Sequence, residues 1–193
     1  MIKKSLVTGD FFYFRSMQNP NNSFELFSKL KPDAFYERIS RPVLIADNLR
    51  TPENMGSVLR LAANIGAIKT LFISETAQEF KSYKIKKTAS GAFDKTDWKI
   101  ISPEELPDEI PEDYRLIAIE TTPSAENIYS FSFPEKVALC IGNEKNGINP
   151  EILKRTNQHV YIPLPGPITS LNTTHALSIA LFEWYRQMSV KIS

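Results

Sequence analysis

The chain has 193 residues, a formal net charge of +1 and 42% hydrophobic residues, which is typical of one globular domain. Its single cysteine, Cys140, excludes an internal disulfide and a cysteine-based zinc site. The apolar runs are far shorter than the roughly 20 residues that cross a bilayer, so the sequence predicts a cytoplasmic protein without a metal site or a membrane partner.

Residues 1–40 differ in pattern from the rest and are predicted to form an N-terminal extension. Within it, Phe24–Arg38 has helical spacing that Pro32 interrupts. From residue 41 onward, short apolar runs alternate with amphipathic stretches. The predicted strands are Val43–Ala46, Thr70–Ile73, Leu116–Ile119, Val137–Ile141 and Val160–Ile162, and the predicted helices are Asn54–Ile65, Pro150–Arg155 and Asn172–Met188. This alternation predicts an α/β domain over residues 41–193, with a parallel sheet and helices on both faces.

Ligands of such sheets bind beyond the carboxyl ends of the strands, and the first loop of interest follows Val43–Ala46. It offers Arg50 and Asn54, then Gly56 and Arg60 in the helix that follows. A polar loop with free helix N–H groups suits an anion. The alternative is that Asn54 only caps the helix and that Arg60 is a solvated helix residue.

Two further loops carry chemistry. Gly142 and Glu144 follow Val137–Ile141, where a glycine admits close backbone approach and an acid directly after a strand is unusual for a simple tight turn. The stiff, proline-rich segment after Val160–Ile162 leads into the last helix. Its Ser170 or Asn172 is the expected helix N-cap, and the nearby histidine at position 175 reads as structural more readily than catalytic.

Taken together, the three loops resemble the motifs of the SpoU/TrmH family of SPOUT RNA methyltransferases, over about residues 41–188. The matching motifs are asparagine–glycine–arginine, Gly-x-Glu and Ile-Pro…Ser-Leu-Asn. The residues that match them are Asn54, Gly56, Arg60, Gly142, Glu144, Ile162, Pro163, Ser170, Leu171 and Asn172. The sequence departs from the family at His175, where small apolar residues are more common, and this leaves its effect on the pocket rim open.

The resemblance implies a deep trefoil knot in the C-terminal segment, a homodimer, and S-adenosylmethionine as cofactor. The implied reaction is methyl transfer to a ribose 2′-hydroxyl of tRNA or rRNA. The implied cofactor-binding residues are Gly142, Ile162, Leu164, Leu171 and Asn172. The implied catalytic residues are Arg60, Asn54, Glu144, Ser170 and Asn172.

The role of Arg60 has two alternatives. The family assigns it to activation of the hydroxyl, but a guanidinium is effectively always protonated. Our hypothesis is therefore that Arg60 anchors a phosphate and stabilises the developing alkoxide. Two other functions stay open: a knotted RNA-binding or assembly protein with little or no turnover, and a methyltransferase for small molecules.

The net charge hides an uneven distribution. Pro103–Asp113 contains six acidic residues and no basic one, so the rest of the chain carries +7. We expect this acidic segment to lie away from the cofactor site. Arg50, Arg60, Lys84 and Lys87 are the predicted RNA-binding residues. The alternative for the lysines is an ordinary solvated surface.

Overall fold

The protein's structure, a computed structural model, describes residues 32–74 and 82–192. By its contacts the chain divides into two units, residues 1–38 and residues 39–193. In the first unit the described residues are 32–38, of which Pro32–Tyr36 form helix α1. The predicted helical stretch Phe24–Arg38 thus ends two residues early, in a turn at Glu37 and Arg38, and its residues 24–31 lie outside the described residues. The interpretation of residues 1–40 as an extension to a catalytic domain stays a prediction.

The second unit contains one parallel sheet, which confirms the predicted parallel α/β architecture, while the C-terminal knot stays a prediction. Within the described residues it has seven strands in the order β3-β2-β1-β6-β4-β7-β5, and every neighbouring pair is parallel. The strands are β1 (Val43–Asp47), β2 (Lys69–Ile73), β3 (Trp98–Ile101), β4 (Arg115–Ile119), β5 (Glu126–Asn127), β6 (Val137–Ile141) and β7 (Gln158–Tyr161). The five predicted strands are all present.

The sequence missed the two edge strands for different reasons. Strand β3 leaves Lys99 and Ile100 exposed, so its four residues lack the continuous apolar run of a central strand. Strand β5 has only two residues, and a pattern that short cannot be distinguished from a turn. Both edge strands are partly exposed to solvent, and a strand that is not buried on both faces does not need a continuous apolar run.

Helices cover both faces of this sheet. The helices of the second unit are α2 (Pro52–Ile65), α3 (Ser82–Ala89), a 3-10 turn (Ser90–Ala92), α4 (Leu106–Glu109), α5 (Pro150–Leu153) and α6 (Thr173–Ile192). On one face, Leu106 of α4 and Ile152 of α5 join alternate strand residues in the core. Helices α2 and α6 pack against each other and against β2, β4 and β6. Each helix in the described part of the chain is too short or too polar to span a membrane.

Helix α2 begins two residues earlier than the sequence pattern indicated, at Pro52 instead of Asn54. Thr51 is its N-cap, and the Thr51 hydroxyl accepts the backbone N–H of Asn54 at 3.2 Å. The interpretation of Asn54 as the cap is therefore wrong, because Thr51 and Pro52 supply the usual cap and first-turn residues. The Asn54 side chain is left for another contact.

Gly56 allows the lysine-rich helix α3 to pack closely against α2. A Cβ atom at Gly56 would lie 2.6 Å from the Thr88 Cβ and 2.7 Å from the Ile85 carbonyl oxygen. The lysine run was interpreted from the sequence as a charged surface, and no helix was predicted there. Only Ile85 and Ala89 of the eight residues of α3 are buried, so the apolar pattern is too weak to indicate a helix. The packing places the basic helix beside the first turns of α2.

Two acidic residues of the segment Pro103–Asp113 form ion pairs near the amino ends of the strands. The Glu109 carboxylate accepts hydrogen bonds from the ammonium groups of Lys69, at 2.8 Å, and of Lys99. Asp113 forms an ion pair with Lys136, which lies just before β6. These lysines hold the pKa of both carboxyl groups below their usual range. The segment's charge is thus partly neutralised at the edge of the sheet opposite the carboxyl ends.

Candidate functional site

A cavity of about 310 Å³ opens at the carboxyl ends of β4, β6 and β7. That size falls within the range of small-molecule pockets, roughly 300–1,000 Å³. Its walls combine apolar side chains, glycines, hydroxyls and two acids. The lining residues are Ile119, Glu120, Thr121, Gly142, Asn143, Glu144, Gly147, Val160, Tyr161, Ile162, Leu164, Thr169, Ser170, Leu171, Thr173 and Ala176. No residue of the acidic segment lines it, as predicted.

The loop after β6 is closed by its own hydrogen bonds. The backbone N–H of Asn143 donates to the Gly147 carbonyl at 2.9 Å, and the reverse bond measures 3.0 Å. A Cβ atom at Gly142 would lie 2.1 Å from the Gly147 carbonyl carbon, and Gly147 has a positive φ of 71°. The close approach at Gly142, predicted for a ligand, is therefore made by the loop's own backbone, and Gly142 also lines the cavity.

Glu144 joins this loop to the one after β1. Its carboxylate accepts a hydrogen bond from the Asn54 side-chain amide and one from the Arg50 backbone N–H at 3.3 Å. Glu144 itself lies on the cavity wall. The first and second motifs, separated by about ninety residues in the chain, therefore meet at the rim of the cavity.

The loop between β7 and α6 forms another wall of the cavity. Ile162, Leu164, Ser170 and Leu171 line it. Within the described residues, the backbone groups of residues 162–171 make no hydrogen bond to the chain. Proline at three of these positions removes donors and stiffens the backbone. The remaining backbone groups are available to a ligand.

Asn172 begins helix α6, as one of the two predicted caps. Its side-chain oxygen accepts the Thr174 backbone N–H at 2.8 Å and the Thr174 hydroxyl at 2.7 Å. The neighbouring Thr173 hydroxyl donates to the Gly142 carbonyl at 2.9 Å. Asn172 does not line the cavity, so its contribution within this chain is to fix the start of α6 against the loop after β6.

The predicted basic residues lie outside the cavity. Arg60 follows Asn54 by six residues, so the two side chains lie about 120° apart around α2. The exposed guanidinium of Arg60 makes no hydrogen bond or ion pair with the described residues. Arg50 contributes only its backbone N–H to Glu144. Lys84 and Lys87 are exposed on α3. The RNA-binding and catalytic roles given to these residues stay predictions.

Glu120 is a cavity residue that the sequence analysis missed. It follows β4 directly, and its carboxylate accepts the Thr121 N–H at 2.9 Å and the Ile148 N–H at 3.1 Å. A Cβ atom at Gly147 would lie 2.4 Å from a Glu120 carboxylate oxygen. The signal was present, because Glu120 follows the run Leu116–Ile119 as Glu144 follows Val137–Ile141: an acid after a buried strand.

Comparison with known proteins matches most of the second unit. A family model described as "SpoU rRNA Methylase family" matches residues 41–182. The 23S rRNA (guanosine-2'-O-)-methyltransferase RlmB of Xylella fastidiosa is 28% identical over 77% of this chain, which spans 59% of that relative's length. The chain thus spans about three fifths of this curated relative.

Solved structures share the fold. A chain from a study of 2-OH methylation of C/U34 on tRNA has a TM-score of 0.69 and 28% identity, covering 78% of this chain and 97% of its own. The SpoU methyltransferase AviRb of Streptomyces viridochromogenes, solved in complex with AdoMet, has a TM-score of 0.69 and 23% identity, covering 81% of this chain and 60% of its own. The second likeness is one of fold alone.

Proposed function

This chain belongs to the SpoU rRNA Methylase family, and from that premise we propose that it transfers a methyl group from S-adenosylmethionine to a ribose 2′-hydroxyl of tRNA or rRNA. The observation that carries the proposal is the meeting of Asn54 and Glu144 at the rim of a cavity lined by Gly142, Ile162 and Leu171. The relatives that support it act on both classes of RNA: RlmB is named for 23S rRNA, and the C/U34 study concerns tRNA.

The cavity suits the proposed cofactor in its donor set. Ile162, Leu164 and Leu171 offer apolar contact to an adenosine group, and the unpaired backbone groups of residues 162–171 offer hydrogen bonds to its polar edges. When bound, S-adenosylmethionine supplies an activated methyl group on a positively charged sulfur. The Asn172 cap and the Thr173–Gly142 hydrogen bond would keep the two binding loops in register.

The chain's own residues must orient the hydroxyl and accommodate its proton. The Glu144 carboxylate lies at the rim, and hydrogen bonds from the Asn54 amide and the Arg50 N–H keep it in one orientation. Ser170 also lines the cavity and would contact the ribose. We infer that Arg60 anchors a phosphate of the RNA, because its exposed guanidinium forms no ion pair within the described residues.

The proposal includes a homodimer and a knotted C-terminal segment, both inferred from the family resemblance, and a cytoplasmic location inferred from the sequence. Exposed apolar side chains on α6 support a protein interface: Phe182 is 49% exposed and Val190 is 66% exposed. A second subunit is also a route by which an Arg60 guanidinium would reach the cavity, since Arg60 does not line the cavity of its own chain.

The test is transfer of a labelled methyl group to unmodified total RNA, followed by mapping of the modified nucleotide. We expect incorporation at a ribose 2′-oxygen that weakens steeply as salt rises, because RNA binding depends on phosphate contacts. Cofactor binding without incorporation into any RNA pool would favour a binding or assembly protein. Incorporation that is insensitive to salt would favour a small-molecule substrate.

Arg60→Lys sharpens the test, because lysine keeps the charge but loses the two-pronged hydrogen bonding of a guanidinium. We expect methyl transfer to fall by about tenfold or more while cofactor binding stays unchanged. Lys95→Arg, at another exposed basic position, is the matched control. Wild-type transfer by Arg60→Lys would contradict the role of Arg60 as a bidentate phosphate anchor.

A further inference from the structure

The charge of the cavity is one-sided. Glu120 and Glu144 are its two acidic lining residues, and no lysine, arginine or histidine of the described chain lines it. A small-molecule pocket with two carboxylates and no cation favours a positively charged ligand over a neutral one of the same shape. The two acids can be distinguished by the groups that hold them.

The two acids are held differently. Glu144 is turned toward the loop after β1, where Asn54 and Arg50 donate to both of its oxygens. Glu120 is turned toward the loop after β6, where it accepts one backbone N–H on each oxygen, from Thr121 and Ile148. A carboxylate oxygen has about two lone-pair sites, so both acids keep acceptor capacity. They differ in that backbone N–H groups hold both oxygens of Glu120, whereas the Asn54 side chain holds one oxygen of Glu144.

The position of Glu120 is fixed by the backbone around it. Gly147 leaves room for the carboxylate, since a Cβ atom there would lie 2.4 Å from a Glu120 oxygen. The carboxylate is therefore preorganised at the cavity wall and does not need to reorient on binding. Fixed charges of this kind are more effective than mobile surface charges, because no side-chain entropy is lost when the ligand arrives.

The substrate form and the product form of the proposed cofactor differ in charge at one atom. S-adenosylmethionine carries a positive sulfur, and S-adenosylhomocysteine, formed when the methyl group leaves, carries a neutral sulfur. We propose that Glu120 is a specificity-determining residue of the cofactor cavity, whose carboxylate makes the cavity bind S-adenosylmethionine in preference to S-adenosylhomocysteine. This inference rests on the proposed function and adds a residue to it.

When the methyl group leaves, the sulfur of the cofactor loses its positive charge, so the cavity attracts S-adenosylhomocysteine less strongly than S-adenosylmethionine. Binding energy that is specific to the charged form aids capture of the substrate form and release of the product form. Glu144 contributes to the same field, but it is held at the rim by the loop after β1, in part through the Asn54 side chain. Within the described residues, Glu120 is held by two backbone N–H groups, that of Thr121 on the cavity wall and that of Ile148 just after Gly147.

The experiment measures the dissociation constants of three ligands by titration calorimetry on the full chain. The ligands are S-adenosylmethionine, S-adenosylhomocysteine and sinefungin, whose amine places a positive charge near the position of the sulfur. The variants are Glu120→Gln, Glu120→Asp and the control Glu126→Gln, which removes an exposed carboxylate outside the cavity. Thermal unfolding of each variant reports on its folding.

We expect Glu120→Gln to weaken binding of S-adenosylmethionine and of sinefungin by about tenfold, equivalent to about 1.4 kcal/mol, and to change S-adenosylhomocysteine by less than about twofold. Glu120→Asp keeps the charge and should retain most of the preference, and Glu126→Gln should retain all of it. The difference between charged and neutral ligands should shrink as salt rises.

Equal weakening of all three ligands by Glu120→Gln would overturn the inference, because it would mark Glu120 as a support of the loop only. An unchanged preference in a folded Glu120→Gln would overturn it as well. Failure of the wild-type chain to bind any of the three ligands is a different result: it contradicts the proposed function, and the inference falls with it.

Discussion

The amino ends and the carboxyl ends of the strands, called here the amino edge and the carboxyl edge of the sheet, differ in how their acidic side chains are partnered. At the amino edge, Glu109 and Asp113 are paired with lysines, so acidic and basic side chains neutralise each other. At the carboxyl edge, Glu120 and Glu144 accept hydrogen bonds from backbone and amide groups, none of which carries a positive charge. Charge is cancelled at one edge and retained at the other.

Under the proposed function, this difference separates structural from functional use of the same residue types. Exposed ion pairs are worth little and are lost without much consequence. A carboxylate fixed by neutral donors keeps its charge and becomes a preorganised electrostatic feature. The net charge of +1 is therefore a poor guide to the ligand, since it sums an edge where charges cancel and an edge where they do not.

The largest expected effect is at the carboxyl edge, with Gly142→Ala. Its Cβ atom would lie 2.1 Å from the Gly147 backbone, so the loop after β6 must open. We expect about 3 kcal/mol of destabilisation and loss of cofactor binding, measured by denaturant unfolding and calorimetry. The matched control is Gly166→Ala, whose Cβ atom has no neighbour within 4 Å. Equal effects of the two substitutions would contradict the difference between the tightly closed loop after β6, which contains Gly142, and the open loop before α6, which contains Gly166.

The next effect concerns the cap that joins the open loop to α6. Asn172→Ala removes the acceptor for Thr174 and should cost about 1 kcal/mol of unfolding free energy. Asn172→Asp keeps a good N-cap and should keep the stability. If Asn172 also acts in the reaction, Asn172→Asp will reduce methyl transfer without a change in stability. Full activity of Asn172→Asp would restrict this residue to capping.

The smallest effect is expected at the amino edge. Lys69 and Lys99 hold the pKa of Glu109 below its usual value of 4.5. A lowered pKa adds stability above that value, and the gain is lost as the pH falls through the folded-state pKa. Glu109→Gln should therefore lower Tm by about 3 °C or less at pH 7, and the difference from wild type should vanish in acid. Cofactor binding should not change; a clear loss would break the contrast between the two edges.

Much of this organisation could be predicted from the sequence because it depends on local patterns. The continuous apolar runs Val43–Ala46 and Val137–Ile141 predicted buried parallel strands, and both are present. The proline-rich segment after β7 predicted a stiff loop at the carboxyl edge, and Ile162 and Leu164 line the cavity there. The short strand β5 and the lysine-rich helix α3 carried too little apolar pattern to be predicted.

The sequence by itself determined the layered α/β fold, the three loops and their order, since these follow from hydrophobic period and turn chemistry. Only the tertiary structure decided which groups meet. It brought Glu144 to Asn54 across the sheet edge, and gave the helix cap to Thr51. It also placed Glu120 beside Gly147. Contacts between residues distant in the chain depend on strand order, and local spacing carries no record of that order.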